Sequence, residues 1–450
     1  MIDDLCPPFH IYDPKAKERR NMKKLFSITA LILAAVTLFV SLGGCTLSRK
    51  PSPLTVYYVN IPIFSDAVTS YKALHQDTDT TFISFNDAAD MDRRITAELE
   101  DGSGPDIMLF DAYQTTLDVR KMAQNGAFAD LRHSFDSLEL YDGFLDAGKV
   151  GGKQYLLPMA FDIPSLYTSE ERLLAENVTL DPEYYTFSDL SAAILQLIDA
   201  YADDDDRIVM VDQLHGGALM KWIDMAGVDI LDAQRSEVAV EPEDLKEIAE
   251  LAAAVDGVRD KMISVAKKFA RDFNGIVEAS AFLAYDRSFA LGAMYYDRLY
   301  PEKMDQTFRL VTVPDIIDPL SVNAIVPCFG AVASGVKNQQ GAVELLSELM
   351  QWSTTHVALP MDATKYPTFA IPENNRRFIA ELAPLQGCED ELVRTIENTL
   401  GSIRSFRIPD PAVSGIVDAA FAGYFSGTAG FDECFEEMTA QLETYMTRVS

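Results

Sequence analysis

Residues 100–113 read EDGSGPDIMLFDAY, and their interpretation decides the fold. Glycines at 102 and 104 and the proline at 105 close the helix expected from DMDRRITAELE just upstream. Pro105–Phe110 is then a short apolar run bounded by turn residues, which is the signature of a buried strand. Two further segments of the same kind lie upstream, LTVYYVN (Leu54–Asn60) and TTFISFN (Thr80–Asn86). Helices are expected between them, over about 65–75, and after the third strand, over about 112–125. Strand and helix in alternation predict an α/β protein with a parallel sheet. In such sheets ligands bind beyond the carboxyl ends of the strands, which marks the loops after Asn60 and Phe110.

Beyond residue 180 the pattern changes. FSDLSAAILQLIDAYA and PEDLKEIAELAAAV have helical period, and DDDD (Asp203–Asp206) interrupts the helical region. A calcium site needs oxygen ligands at defined spacing in a folded loop, whereas a plain acidic run reads as a solvated turn. Strands return at FRLVTVP (Phe308–Pro314) and FGAVASG (Phe329–Gly335), followed by a helix in QQGAVELLSELMQWS and a mainly helical end. This order implies a discontinuous body of two lobes with more than one crossing between them.

The 450 residues carry a net charge of -31, spread along the chain, which repels phosphate backbones and argues against nucleic acid as a partner. With 48% hydrophobic residues there is enough for a large core. The N-terminus decides the compartment. Lys23 and Lys24 precede an uncharged apolar segment, Leu25–Leu42, and then Gly43-Gly44-Cys45. A basic region, an apolar region and small residues form a secretory signal. Leu42-Gly43-Gly44-Cys45 resembles a bacterial lipobox, in which the thiol of the Cys is lipidated and that Cys becomes the first mature residue. Residues 1–21 are then an extension ahead of a start at Met22, 22–44 the signal peptide and 45–53 a tether. An uncleaved anchor helix is the alternative. Cys328, Cys388 and Cys434 follow no zinc spacing. They read as buried apolar residues or as one disulfide whose pair the sequence does not choose.

No nucleophile elbow, HExxH or phosphate-binding loop is present, and the five histidines show no metal-ligand spacing. No metal or cofactor is expected. Paired carboxylates for glycoside hydrolysis cannot be picked out among 69 acidic residues.

Several segments in order resemble the family-1 extracellular solute-binding proteins of ABC importers, the group that includes maltose-binding protein. EDGSGPDIMLFDAY carries the family's GxGPDI strand entry, QNGAFADL (Gln124–Leu131) its GxxxDL turn, and GKQYLLPMAFDIPSLYTSEERLLAENV (Gly152–Val178) its GKxYxxP strand leading into the second lobe. FALGAMYYD (Phe289–Asp297) and SGVKNQQGAVELLSELM (Ser334–Met350) follow in the family's order. The resemblance covers about residues 54–375. It implies a periplasmic-binding-protein-like fold of type II: each lobe a mixed sheet flanked by helices, with a hinge between them. Lobe 1 is expected to take 54–160 and 310–352, and lobe 2 to take 161–309 and 353–450.

By the same resemblance the cleft is lined by Asn60 and Phe64, by Phe110, Asp111, Tyr113 and Gln114, by Asp162, and by Asp297, Arg298 and Tyr300. Aromatic faces with carboxylates and amides suit a sugar ring and its hydroxyls. Plainer roles stand beside these: Phe110 ending a buried strand, Asp111 capping a helix, Tyr295 and Tyr296 packing between elements, Trp222 in the core, Asp106 shaping its turn. The implied function is a monomeric, lipid-anchored receptor that captures a carbohydrate and delivers it unchanged to an ABC permease. With Trp222 and Trp352 the only tryptophans, a long glucan is less favoured, and the carboxylates also suit a cationic solute such as a polyamine. The rival readings are a ligand sensor for a membrane kinase, a surface glycoside hydrolase and a structural surface lipoprotein.

Overall fold

The computed structural model describes residues 52–211, 218–232, 237–269, 271–284, 289–355, 368–387 and 390–449. Cys45, the signal segment and Cys388 lie outside them.

The first three strands form where the sequence places them: β1 (Leu54–Val59), β2 (Thr80–Phe85) and β3 (Ile107–Asp111). Helix α1 (Pro62–Leu74) joins the first two, with proline in its first turn, where no N–H is needed. Helix α2 (Ala88–Glu100) starts on an Asp87 side chain that accepts from Ala89 N. After β3 the expected helix over 112–125 contracts to α3 (Val119–Gln124), because Asp118 caps it at Lys121 N and the preceding residues form turns.

The remaining main strands are β4 (Leu156–Asp162), β5 (Ser165–Ser169), β6 (Ile208–Val211), β7 (Ser280–Ala284), β8 (Phe308–Thr312), β9 (Val322–Val332), β10 (Thr368–Phe369) and β11 (Ile403–Arg407). One sheet has the order β10-β4-β9-β3-β1-β2, with β11 also paired to β9. The other has the order β8-β5-β7-β6. β1, β2 and β3 are parallel, while β9 runs antiparallel to both β3 and β4. In the second sheet β5 runs antiparallel to β7 and β8 while β6 is parallel to β7, so both sheets are mixed. The chain passes from one sheet to the other through Ile163–Pro164 and through Val313–Ser321, and it leaves the first sheet for the helices of the second core through Ile408–Asp410.

β9 is longer than the FGAVASG segment suggested. Its first residues, Val322–Ile325, pair with β11, and Cys328–Val332 pair with β3 and β4. Pro327 lies between the two pairings; it has no N–H to give, and its carbonyl accepts from Ala112 N. β11 was not expected at all, because IRSFR is mostly polar. Phe406 anchors it, with ring centroids 5.0 Å from Phe161 and 5.2 Å from Phe144.

The first sheet is packed on both faces. Val56, Leu109, Leu157 and Met159 lie on one side, and Tyr57, Met108, Phe110, Leu156 and Phe329 on the other. A separate core surrounds the second sheet. It includes Trp222 and Ile223 of helix α4 (Ala218–Ala226), buried side chains of Phe187–Ala200 and Pro242–Gly257, and Val417, Phe421, Met438 and Leu442 from the C-terminal helices. Each such side chain contributes about 1.5–3 kcal/mol on burial. Cys328 and Cys434 are free and buried. Asp203–Asp206 is an exposed stretch on which Lys268 pairs with Asp206.

Candidate functional site

The carboxyl ends of the parallel strands supply the first wall. The register sets Val59 beside Phe85 and Tyr58 beside Leu109, so Asn60, Asn86 and Asp111 fall along one edge. Asn60 donates to Asn86 Oδ1 at 3.3 Å, in the open. Asp111, only 8% exposed, accepts from Tyr113 N at 2.9 Å and from Gln114 Nε2 at 2.5 Å. It does not cap a long helix. It folds the chain back on itself so that the Tyr113 ring projects outward.

Asp162 ends β4 on the same edge, since Ala160 and Asp111 both lie opposite Cys328. Its Oδ1 accepts from Phe289 N at 3.0 Å, the first residue of helix α5 (Phe289–Leu299). Asp162 thus joins the first sheet to a helix that packs on β5 and β8 of the second.

Tyr113 is the centre of the arrangement. Its side chain is 47% exposed, yet its phenol is held well above the ordinary range, by surrounding protein first and then by the negative charge of Asp162, Asp224 and Asp111. The ring is thus partly open to solvent, with three carboxylates near enough to act on its hydroxyl. Asp111 and Asp162 come from the first sheet, and Asp224 comes from α4 in the second core.

Asp224 was not among the residues expected from sequence. Burial pushes its carboxyl up to about 7; Arg407 opposes the rise, and Asp410 and Asp229 add to it. Near neutrality it can donate or accept a hydrogen bond. A sequence signal existed: in ALMKWIDMA it is the one acidic residue on an apolar helix whose Trp222, Ile223, Met225 and Ala226 are all buried.

Other expected contacts are placed differently. Phe64, Phe110 and Tyr300 are fully enclosed and leave no face for a solute. Phe64 faces the core because α1 turns its apolar side onto the sheet. Phe110 stacks on Phe329 at 5.2 Å, as a strand residue does. Tyr300 donates to Tyr167 O at 3.3 Å and packs under the Arg172 guanidinium. Arg298 is exposed and pairs with Glu302 at 3.2 Å along its own helix, and Asp297 is half-buried beside it. Tyr296 is buried, whereas Tyr295 is 43% exposed. Asp106 accepts from Thr55 N at 2.8 Å and fixes the start of β3 against β1.

No protein-family model and no curated protein sequence matches the chain. Solved structures do. An ABC substrate-binding protein of Listeria monocytogenes, in complex with cycloalternan, is similar over 88% of this chain and 99% of its own, with a TM-score of 0.56 at 14% identity. The cyclic α-maltosyl-1,6-maltose binding protein of Arthrobacter globiformis covers 88% and 100%, with a TM-score of 0.57 at 17% identity. The galacto-N-biose-/lacto-N-biose I-binding protein of a Bifidobacterium longum ABC transporter, in complex with lacto-N-biose, covers 89% and 98%, with a TM-score of 0.58 at 13% identity. These likenesses establish the fold: the chain has the two-lobe architecture of the extracellular solute-binding proteins.

Proposed function

We propose that this chain is the lipid-anchored, extracellular solute-binding subunit of an ABC importer, and that it captures a carbohydrate between its lobes and passes it unchanged to a permease. The observation that carries the reading is the Tyr113 ring, open to solvent between carboxylates contributed by both bodies of the fold. The ring offers an apolar face for a sugar, and Asp111, Asp162 and Asp224 offer acceptors for hydroxyls. The sugars bound by similar solved proteins support the same class.

Each lobe is built on one sheet, with the three crossing segments as the hinge, and closure about them encloses the solute. Asn60 and Gln114 serve as contacts nearer the rim. The lipid on Cys45 keeps the receptor beside its permease.

A thermal-shift screen against mono- and oligosaccharides, polyols and polyamines tests the proposal. A ligand at a hundredfold excess over its dissociation constant adds about 2.7 kcal/mol to the folded state. The reading expects a raised midpoint with one sugar class, the sugar recovered intact, and loss of the rise in Tyr113→Ala. Turnover of the sugar would replace this reading with a hydrolase, and a rise only with polyamines would replace the solute class.

A further inference from the structure

The C-terminal end of α4, the helix that carries Asp224, is held by β9 and β11. Arg407, at the end of β11, donates from Nη2 to Gly227 O at 2.7 Å and from Nη1 to Val228 O at 3.0 Å, and it pairs with Asp229 at 2.9 Å. Carbonyls at a helix C-terminus lack partners within the helix, and a planar guanidinium can satisfy two at once.

Arg407 is itself braced. Its Nε donates to Ser405 Oγ at 3.2 Å, and Ser405 Oγ donates to Asn323 Oδ1 at 2.6 Å. Asn323 Nδ2 donates to Met225 O at 3.2 Å and to Asp315 Oδ2 at 3.0 Å, and Arg404 pairs with Asp315. Asp315 is 1% exposed. β9, β11, Asp315 of the second crossing and the end of α4 therefore form one polar knot. Gly227 fits it closely: its φ is +77°, and a Cβ there would lie 2.1 Å from Asp315 Oδ2.

We propose that Arg407 is a positioning residue for solute recognition: it fixes the cleft-facing carboxylate of Asp224 to β9 and β11 where they meet the second and third crossing segments, so that Asp224 moves with the hinge. This rests on the cleft reading above. The charged and titratable groups that face Asp224 are Tyr113 from the loop after β3, Arg407 from the end of β11, Asp410 from the third crossing, and Asp229 from the loop after α4. Asp410 is in turn paired with Arg120 at 3.1 Å. Arg407 is the cation of this set that lowers the proton affinity of Asp224, so its loss has a signature that a purely structural residue lacks.

The test follows the pH dependence of the unfolding midpoint, from pH 5 to 9, in the purified protein and in Arg407→Gln, Arg407→Lys, Asp224→Asn and the Arg407→Gln/Asp224→Asn pair. Arg407→Gln should move the Asp224 step upward by on the order of one pH unit. That movement should vanish in the Asp224→Asn background. Arg407→Lys keeps the charge without the fork, so it should return the step towards its original pH yet bind the sugar found by the screen several-fold more weakly than wild type. A step that stays in place in Arg407→Gln, or moves equally without Asp224, overturns the proposal, as does full sugar affinity in Arg407→Lys. Should wild type bind no sugar, the cleft reading fails and takes the recognition role with it, whereas a missing pH coupling in a sugar-binding wild type sinks this inference alone.

Discussion

Replacing Asp224 with asparagine should stabilise the protein at alkaline pH while weakening its hold on solute. In the folded chain the Asp224 carboxyl titrates at about 7, raised from 3.8 by burial. Between those values the folded state keeps a proton that the unfolded chain has released. The folded state binds more protons there, so stability falls as pH rises through the window and levels off above 7. A shift of that size corresponds to at most about 4 kcal/mol, at about 1.4 kcal/mol for each tenfold change in proton affinity. Solvent reaches part of the side chain, so about 2 kcal/mol is the expected cost of the ionised carboxylate at pH 8. Asparagine has the same shape and no charge to desolvate. Denaturant titrations of wild type and Asp224→Asn should therefore diverge by about 2 kcal/mol at pH 8 and converge towards pH 4. Sugar affinity should drop in the variant. Equal stability at both pH values, or a less stable variant at pH 8, would refute the argument that Asp224 is buried at a cost for the sake of the cleft.

Tyr113→Ala should lower the unfolding midpoint by only a few degrees, because the residue is 47% exposed, but weaken sugar binding roughly tenfold or more by isothermal titration. Gly227→Ala should destabilise by about 2–4 kcal/mol in denaturant melts, combining left-handed backbone strain with a Cβ driven into Asp315 and Asn323. Phe406→Ala should cost about 3–5 kcal/mol, since its ring joins those of Phe144 and Phe161 at the seat of β11. Cys45→Ser should shift the protein from the membrane fraction to the medium in a fractionation of producing cells; retention on the membrane would favour an uncleaved anchor.

The sequence carried the first sheet well. LTVYYV and IMLF are continuous or nearly continuous apolar runs because strands packed on both faces need them, TTFISF is a partly exposed edge strand with fewer apolar residues, and the turn residues of DGSGP mark where α2 gives way to β3. The strand pattern marked the loop after Phe110, whereas Asp111, Tyr113 and Asp162 were named by the family resemblance. Three features were hidden for physical reasons. β11 has few apolar residues, and a single aromatic side chain holds it. β9 contains a proline that reads as an interruption but serves at a change of partner. Asp224 sits on a helix, α4, whose C-terminal end is held by groups 98 and 180 residues further along the chain, which no local pattern reveals. Phe64 and Tyr300 show the converse: aromatic residues near cleft motifs were claimed by the core, where their whole surface contributes.

The most direct test of the central claim is a calorimetric titration of the best sugar from the screen into wild type and Tyr113→Ala, with chromatography of the sugar recovered afterwards. The account predicts saturable one-to-one binding by wild type, a dissociation constant weaker by tenfold or so in Tyr113→Ala, and sugar recovered intact. Equal affinity in both proteins would move the binding site away from this cleft, and cleaved sugar would contradict the receptor reading itself.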